Sequence, residues 1–565
     1  MSLVDCFQLF IYFSVLLILT PFLGTFLAAL SDGKRTLLTP CLGWLEQLSY
    51  RIGGINHNEE MNWKRYAKSM LLFNLCGAIT LFFILILQHI LPFNPQGFSG
   101  LPWPLAFNVT ISFVTNTNWQ SYAGETTLSY AAQMWGLTVQ NFLSASTGIA
   151  VLMAFIRGFI RKTTDNLGNF WADTVRIIVY LLLPLSAILA LGLVSQGVIQ
   201  TLSPYEQIET LEKGGTQMIP LGPVASQVAI KQLGSNGGGF FNTNSAHPFE
   251  NSTPLSNFLE MGAILLLPMS ILYAYGLLIG SKKHAWMLFS VMIVLWAIGF
   301  GLATYSEHLS SPPSLEGKEV RFGVNNSLIW ATMTTATSNG SVNAMHSSLS
   351  PLAGGVALFN MMVGELIFGG VGVGLCSMLM FVLLTIFLSG LMVGRTPEYL
   401  GKKIDKYDIK WVMLAVLTPA SLILIGTSVA CVVPSALSSI SSGGPHGLSE
   451  LLYAFTSAAA NNGSAFAGLN ANTDFYNITL GIIMLLARLA ILISSLGLAG
   501  NLVVKRTSPI SLGTLSTDTF LFAALLIGII IIEGALAFFP ALSLGPIIEQ
   551  LLMLQGKTFG LAEGL

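Results

Sequence analysis

Charge is scarce in this sequence: Lys, Arg, Asp and Glu fill only 9% of its 565 positions, against about a quarter in soluble domains. That scarcity excludes an ordinary water-soluble globule. Paired cysteines are missing too, since the five at 6, 41, 76, 376 and 431 show no CxxC spacing, so neither a zinc site nor a disulfide framework is expected. The chain has no GxxxxGK[ST] phosphate loop and no Asp-Lys-Thr-Gly-Thr phosphorylation sequence. Its largest connections, near 31–66 and 200–223, are too short for a nucleotide domain, so no nucleotide is expected to bind and any ATP is spent elsewhere. A net charge of −1 gives no signal for nucleic acid, which is not expected as a partner.

What the sequence has is hydrophobic residues, at 53% of positions, gathered into runs long enough to cross a lipid bilayer. The fold class read from them is an all-α polytopic membrane protein with about ten spans, near 7–30, 69–91, 130–156, 174–199, 257–280, 285–303, 355–393, 411–433, 475–503 and 517–539. The first, Phe7 to Leu30, lacks a basic leading region and reads as a retained span. Basic residues then fix the orientation. Lys34, Arg35, Arg51, Lys64, Arg65 and Lys68 follow the first span. Arg157, Arg161, Lys162 and Arg176 follow the third, and Lys282 and Lys283 the fifth. Arg395, Lys402, Lys403, Lys406 and Lys410 follow the seventh, and Lys505 and Arg506 the ninth. The intervening connections hold only Lys213, Lys231, Lys318 and Arg321, with Lys557 in the tail. Positive residues mark the cytoplasmic side, so both termini are expected outside.

The outer connections repeat a plan. Each has an apolar stretch too short to span (Leu105 to Val114, Val224 to Leu233, Leu328 to Thr337, Leu448 to Ala458) and then a polar patch. The patches are Thr115-Asn116-Thr117-Asn118-Trp119-Gln120, Ser235-Asn236-Gly237-Gly238-Gly239-Phe240, Ser338-Asn339-Gly340-Ser341-Val342-Asn343 and Asn461-Asn462-Gly463-Ser464-Ala465-Phe466. The unit of span, pore helix, loop and span, a fourfold pseudo-repeat, divides the chain into a leading helix and loop (1–66), four pore repeats (67–165, 166–283, 284–405, 406–506) and a trailing helix and tail (507–565).

Irregular backbone at membrane depth survives only when buried in protein or lining a wet cavity. Four such loops around one axis can replace the water shell of a cation with carbonyl oxygens. Glycine at 237, 340 and 463 suits carbonyls turned inward, and in this alignment Thr117 takes the glycine position of the first repeat. Asn116, Asn236, Asn339 and Asn462 are expected to brace the loops. Only Glu125 and Glu250 lie near the patches, so a neutral oxygen site for a monovalent cation is favoured over a carboxylate site for a divalent one. Gln120 is expected to line the mouth, and Phe240 and Phe466 either line it too or pack the pore helices. His247 and His346 are expected to make hydrogen bonds rather than bind metal.

At TNTNWQSYAGE (115–125), NGGGFFNTNSAHPFEN (236–251), ATSNGSVNAMHS (336–347), GRTPEYLGKKID (394–405) and NNGSAFAGL (461–469), the sequence resembles the A subunit family of the Kdp potassium-transporting ATPases, over essentially its whole length. The resemblance implies K⁺ as transported substrate and a filter at Asn116, Thr117, Asn118 and Gln120, at Asn236, Gly237, Gly238 and Gly239, at Asn339, Gly340 and Ser341, and at Asn462, Gly463 and Ser464. It implies partners as well: a P-type ATPase subunit that hydrolyses ATP and two small membrane subunits, in a bacterial cytoplasmic membrane. Within the bilayer, Arg488 is expected either to repel K⁺ below the filter or to pair with Glu365 or Glu533. The seventh span holds Glu365, Gly369 and Gly370 and is expected to break in its middle as a gate or side tunnel, unless its glycines serve close packing. An autonomous channel or symporter of the same superfamily would share the loops. An enzyme acting on lipid is disfavoured, because the polar residues are amides, hydroxyls and glycines rather than clustered acids or metal ligands.

Overall fold

The computed structural model describes residues 3–211, 214–309, 313–394, 396–507 and 515–557. Lys213 and Arg395, counted above in the charge pattern, lie outside them. Ten helices among the described residues are long and apolar enough to cross a membrane, as backbone in hydrocarbon requires, since each helix satisfies its own N–H and C=O groups. In chain order the elements are α1 (Leu3–Ser31), α2 (Thr39–Gly53) and α3 (Trp63–Ile86), then the short α4 (Trp103–Val114), followed by α5 (Ala132–Ile160) and α6 (Phe170–Ser195). A small antiparallel ribbon, β1 (Glu206–Glu209) with β2 (Thr216–Ile219), precedes the short α7 (Val224–Leu233). Next come α8 (Pro254–Leu278), α9 (Lys282–Glu307) and the short α10 (Gly323–Ala336). Helices α11 (Pro351–Met362), α12 (Val373–Val393), α13 (Lys406–Ala430), α14 (Gly444–Ala459), α15 (Asp474–Val503) and α16 (Phe520–Leu542) follow, with a short hairpin pairing Glu398–Tyr399 with Lys402–Lys403 between α12 and α13.

Side-chain caps set several span starts. Thr253 and Asp405 close capping boxes with Ser256 and Asp408 at the heads of α8 and α13, and Thr473 caps α15, each satisfying amides that have no partner within the helix. The leading helix α1 lies along α8. Tyr12 donates to the Met261 carbonyl over 2.7 Å, and a Cβ on Gly24 would meet Ser270 and Tyr273 at 2.8 Å, so only glycine allows that approach.

The expected seventh span is two helices. Between α11 and α12 the backbone turns left-handed at Gly364, Glu365, Phe368 and Gly372, so residues 363–372 are a loop rather than a continued helix. The connection after α12 folds back into the protein. Lys402 is fully buried and donates to the carbonyls of Gly158, Arg161 and Leu502, serving the C-terminal ends of both α5 and α15, where a cation is favoured.

Candidate functional site: a ring of four loops

Helices α4, α7, α10 and α14 are buried along nearly their whole length, and each ends at one of the polar patches. The amide of Thr117 donates to Ser112, Asn236 to Lys231, Asn339 to Thr334 and Asn462 to Ser457, at 2.8–3.0 Å. Every one of these bonds reaches back five residues, so the four loops leave their helices in the same way. The helix ends thereby direct the negative poles of four short dipoles at one place.

This geometry corrects the register of the first repeat. Thr117 shares the backbone role of Asn236, Asn339 and Asn462, and it is Asn118, at φ 53°, that stands where Gly237, Gly340 and Gly463 adopt φ 73–94°. The residue before each pair, Asn116, Ser235, Ser338 or Asn461, is left-handed as well. Asparagine tolerates that region better than a β-branched threonine, whose two γ-substituents crowd it. The consecutive Asn-Thr-Asn therefore fits one residue later than a match of Asn to Asn suggests.

The loops touch in a closed cycle. A Cβ on Gly237 would overlap the Asn339 carbonyl, one on Gly340 the Asn462 carbonyl, and one on Gly463 the Thr117 carbonyl. The fourth junction is made by side chains: Asn118 Nδ2 donates to the Gly237 carbonyl at 2.8 Å and Asn116 Nδ2 to the Ser235 carbonyl at 2.8 Å. The remaining amides reach sideways to neighbouring loops and helices. Asn339 Nδ2 donates to the Lys231 carbonyl at 3.1 Å, Asn462 Nδ2 to the Thr334 carbonyl at 2.8 Å, and Asn236 to Asn116. The Oδ1 atoms of Asn339 and Asn462 accept from the amides of Ser341 and Ser464, each at 3.0 Å.

Behind the ring sits a buried polar shell that the sequence reading did not find. Lys231, on α7, pairs with Glu250 and donates to Asn244 Oδ1, and both charged side chains are inaccessible to solvent. Gln232 links Ser341 to Glu260 at 2.8 Å on each side. Lys318 and Glu307 form a second buried pair at 2.7 Å. The signal available in sequence was a lysine inside an otherwise apolar pore-helix stretch, which demands a partner.

On the side of the connections poor in Lys and Arg, the ring opens into a cavity of about 840 Å³ reached by Asn118, Gly238, Gly340, Gly463 and Ser464, with Gln120 at its wall. Gln120 also clamps Gly239, accepting its amide at 2.8 Å and donating to its carbonyl at 3.0 Å. Phe240 is buried in one apolar cluster with Tyr130 and with Val224, Ala225 and Val228 of α7, and Phe466 stacks on Tyr453 of α14 with ring centres 4.3 Å apart, so both Phe pack pore helices. His346 shares a 2.7 Å hydrogen bond with Tyr453. His247 stacks on Phe241 and accepts from the Phe249 amide, and burial holds its pKa below the ordinary value. Burial also raises the pKa of Glu125, although it accepts the Asn242 amide at 2.9 Å.

Beneath the ring lies the break between α11 and α12. A Cβ on Gly370 would stand 3.6 Å from the carbonyl of Thr337, at the end of α10, and 3.2 Å from Glu365 Oε2, while one on Gly369 would overlap the Glu365 carbonyl. Asn461 Nδ2 donates to the Met484 carbonyl on α15 at 3.0 Å, and Arg488 lies one turn further along that helix. Arg488 is 5% exposed; among the described residues it makes no salt bridge, but it interacts electrostatically with Glu365. Its guanidinium sits by Gly148 of α5, which Gly372 also touches. A cavity of about 50 Å³ connects Asn461, Glu365 and Glu533.

Four pore helices delivering four loops to one ring, inside ten apolar helices, define a membrane protein of the pore-loop type built to handle small ions. The solved potassium transporter TrkH of Vibrio parahaemolyticus shares this fold, with a TM-score of 0.53 at 14% identity over 84% of this chain and 95% of that one. The chain belongs to the family described as the potassium-transporting ATPase A subunit, KdpA, whose model matches residues 10–551. It is 52% identical to the potassium-transporting ATPase potassium-binding subunit of Leptospira interrogans serovar copenhageni, over 98% of this chain and 99% of that relative. The subunit of the same description from Mesorhizobium japonicum is 50% identical, over 99% of this chain and all of the relative.

Proposed function

We propose that the ring is a filter for dehydrated K⁺ and that the chain is the potassium-binding, pore-forming subunit of an ATP-driven uptake complex, hydrolysing no ATP itself. The observation that carries this reading is the closed cycle of four loops, in which neutral carbonyls and amides meet without a carboxylate. Such a ring offsets the dehydration of a monovalent ion by many weak dipoles at once. Family membership and the relatives' names support K⁺ as the ion and an ATPase subunit as partner. Two further small membrane subunits complete the proposed assembly.

The wide vestibule on the poorly basic side supports an outward-facing filter in a bacterial cytoplasmic membrane, with both termini extracytoplasmic and the four repeats 67–165, 166–283, 284–405 and 406–506 each supplying one loop. Below it, the segment carrying Glu365, Gly369 and Gly370 acts as the gate. The positive charge of Arg488, which makes no salt bridge among the described residues, opposes straight passage and turns the ion sideways toward the ATPase. The test is Rb⁺ uptake by the reconstituted complex against the isolated chain. Uptake that needs ATP and the partner subunits supports the proposal; sustained K⁺ flux through the isolated chain refutes the subunit role. Equal thermal stabilisation of the chain by Na⁺ and K⁺ refutes the filter.

A further inference from the structure

On the opposite, basic side, a groove of about 660 Å³ runs between the first turns of α13 and the last turn of α15, walled by Asp405, Tyr407, Lys410, Trp411, Leu414 and Lys505, with Lys406 beside it over the Tyr407 ring. Its two nearby carboxylates are already engaged, since Asp405 and Asp408 both hold Lys505. Lys406 and Lys410 have no carboxylate partner among the described residues; their ammonium groups lie 5.3 and 5.5 Å from the centre of the Tyr407 ring. Trp411 meets Trp63 edge-on at 5.9 Å, and Lys64 stands over Trp63. The groove is therefore net positive and rimmed by aromatic rings, at the point where α13 leaves the apolar zone. Below it the outer face of the helix is apolar, with Leu414 and Leu417 nearly half exposed and Ile425 at 63%.

We propose that this groove seats an anionic phospholipid. Lys406 and Lys410 hold the phosphate, Lys64 flanks it, Tyr407 and Trp411 frame the glycerol region, and the acyl chains run down past Leu414. A membrane of mixed charge supplies the ligand, a cation pair supplies selectivity over zwitterionic lipid, and the aromatic rims match the interface. The apolar continuation below the cations distinguishes a lipid from a free phosphate, which would gain nothing from it. The site is independent of the filter reading, because its assay does not involve K⁺.

The test is tryptophan quenching of the full chain by brominated phosphatidylglycerol and brominated phosphatidylcholine at equal mole fraction. Preference for the anionic lipid is expected, with that component lost in Trp411→Phe. In Lys406→Gln/Lys410→Gln the preference should fall by up to about thirtyfold, with thermal unfolding unchanged, while Lys34→Gln leaves it intact. Equal quenching by both lipids, or a double variant that keeps the preference, overturns the proposal. Competition by soluble glycerol phosphate as effective as by lipid reassigns the groove to a free anion and overturns it too. Loss of lipid access when the partner subunits assemble makes the groove a protein interface and equally ends the lipid reading.

Discussion

Replacing Gly340 by alanine places a methyl group where the ring has no room. The new carbon would overlap the Asn462 carbonyl oxygen, stand 2.8 Å from its carbonyl carbon and lie 3.2 Å from the Ser464 amide nitrogen. All three are backbone atoms of the neighbouring loop, so no side chain can swing aside. The residue also sits at φ 87°, a region that costs a side chain about 1–2 kcal/mol. Relief requires the fourth loop to retreat by several tenths of an ångström or more, and binding geometry tolerates about 0.5 Å. A loss of about 1.4 kcal/mol in K⁺ binding is tenfold in affinity, so Gly340→Ala should weaken apparent K⁺ affinity tenfold or more. The assay is Rb⁺ uptake against external K⁺ in cells lacking other uptake systems, with membrane content of the complex measured in parallel. Gly262→Ala in α8 is the control: nothing lies within 4 Å of its added carbon, and it should gain up to about 1 kcal/mol of helix stability with affinity unchanged. Wild-type affinity in Gly340→Ala at normal membrane content would falsify the ring as the ion site.

Asn118→Gly relaxes a left-handed residue yet removes the 2.8 Å bonds to the Gly237 carbonyl and to Asn141; selectivity for K⁺ over Na⁺ should drop, and an unchanged ratio would show that the first junction needs no side chain. Lys231→Met strands Glu250 in a solvent-free pocket and should cost about 3–5 kcal/mol, read as a lowered unfolding temperature. Lys231→Met/Glu250→Gln should recover most of it, and no recovery would mean that packing rather than charge holds this corner. His247, held below its ordinary pKa of 6.5 by burial, takes up protons in the unfolded chain before the folded one. Stability should therefore fall as pH drops from about 6.5 through the lowered folded value. His247→Phe, which can keep the stacking on Phe241, should flatten that slope in a pH series of thermal unfolding, and an unaltered slope would locate the acid sensitivity elsewhere.

Local signals carried the spans and the pore helices. Val224–Leu233 matches its expected limits, and α4, α10 and α14 differ from theirs mainly by starting two to five residues earlier, because apolar stretches bounded by polar patches report their own ends. Spans α3 and α13 begin earlier than the apolar runs, at Trp63 and Lys406, since lysine stems run along the helix while their charges reach water. The break after Met362 was legible in its glycines. What was not legible is who meets whom. Lys231, Lys318 and Lys402 were counted as connection charges, but the fold buries all three, and only tertiary placement of Glu250, Glu307 and the helix-end carbonyls makes that affordable. The register of the first loop was misread for a related reason: matching letters aligned Asn116 with Asn236, whereas backbone angle and the five-residue hydrogen bond align Thr117 with it.

On the proposed filter reading, the buried charges also set the field that an ion at the neutral ring would meet. Lys231 with Glu250 and Lys318 with Glu307 are each internally compensated, so these two pairs brace the shell behind the loops without adding net charge, while the buried Glu260 is held there by Gln232 and Ser245. Below the ring, Arg488 is buried without a salt bridge among the described residues and interacts electrostatically with Glu365. Low dielectric lengthens the reach of a buried charge, so on the proposed reading an ion at the ring has helix-end carbonyls behind the loops and the combined field of Arg488 and Glu365 ahead. On the proposed reading, that asymmetry favours binding from the vestibule over free conduction, as a subunit that waits for ATP to be spent by another chain requires.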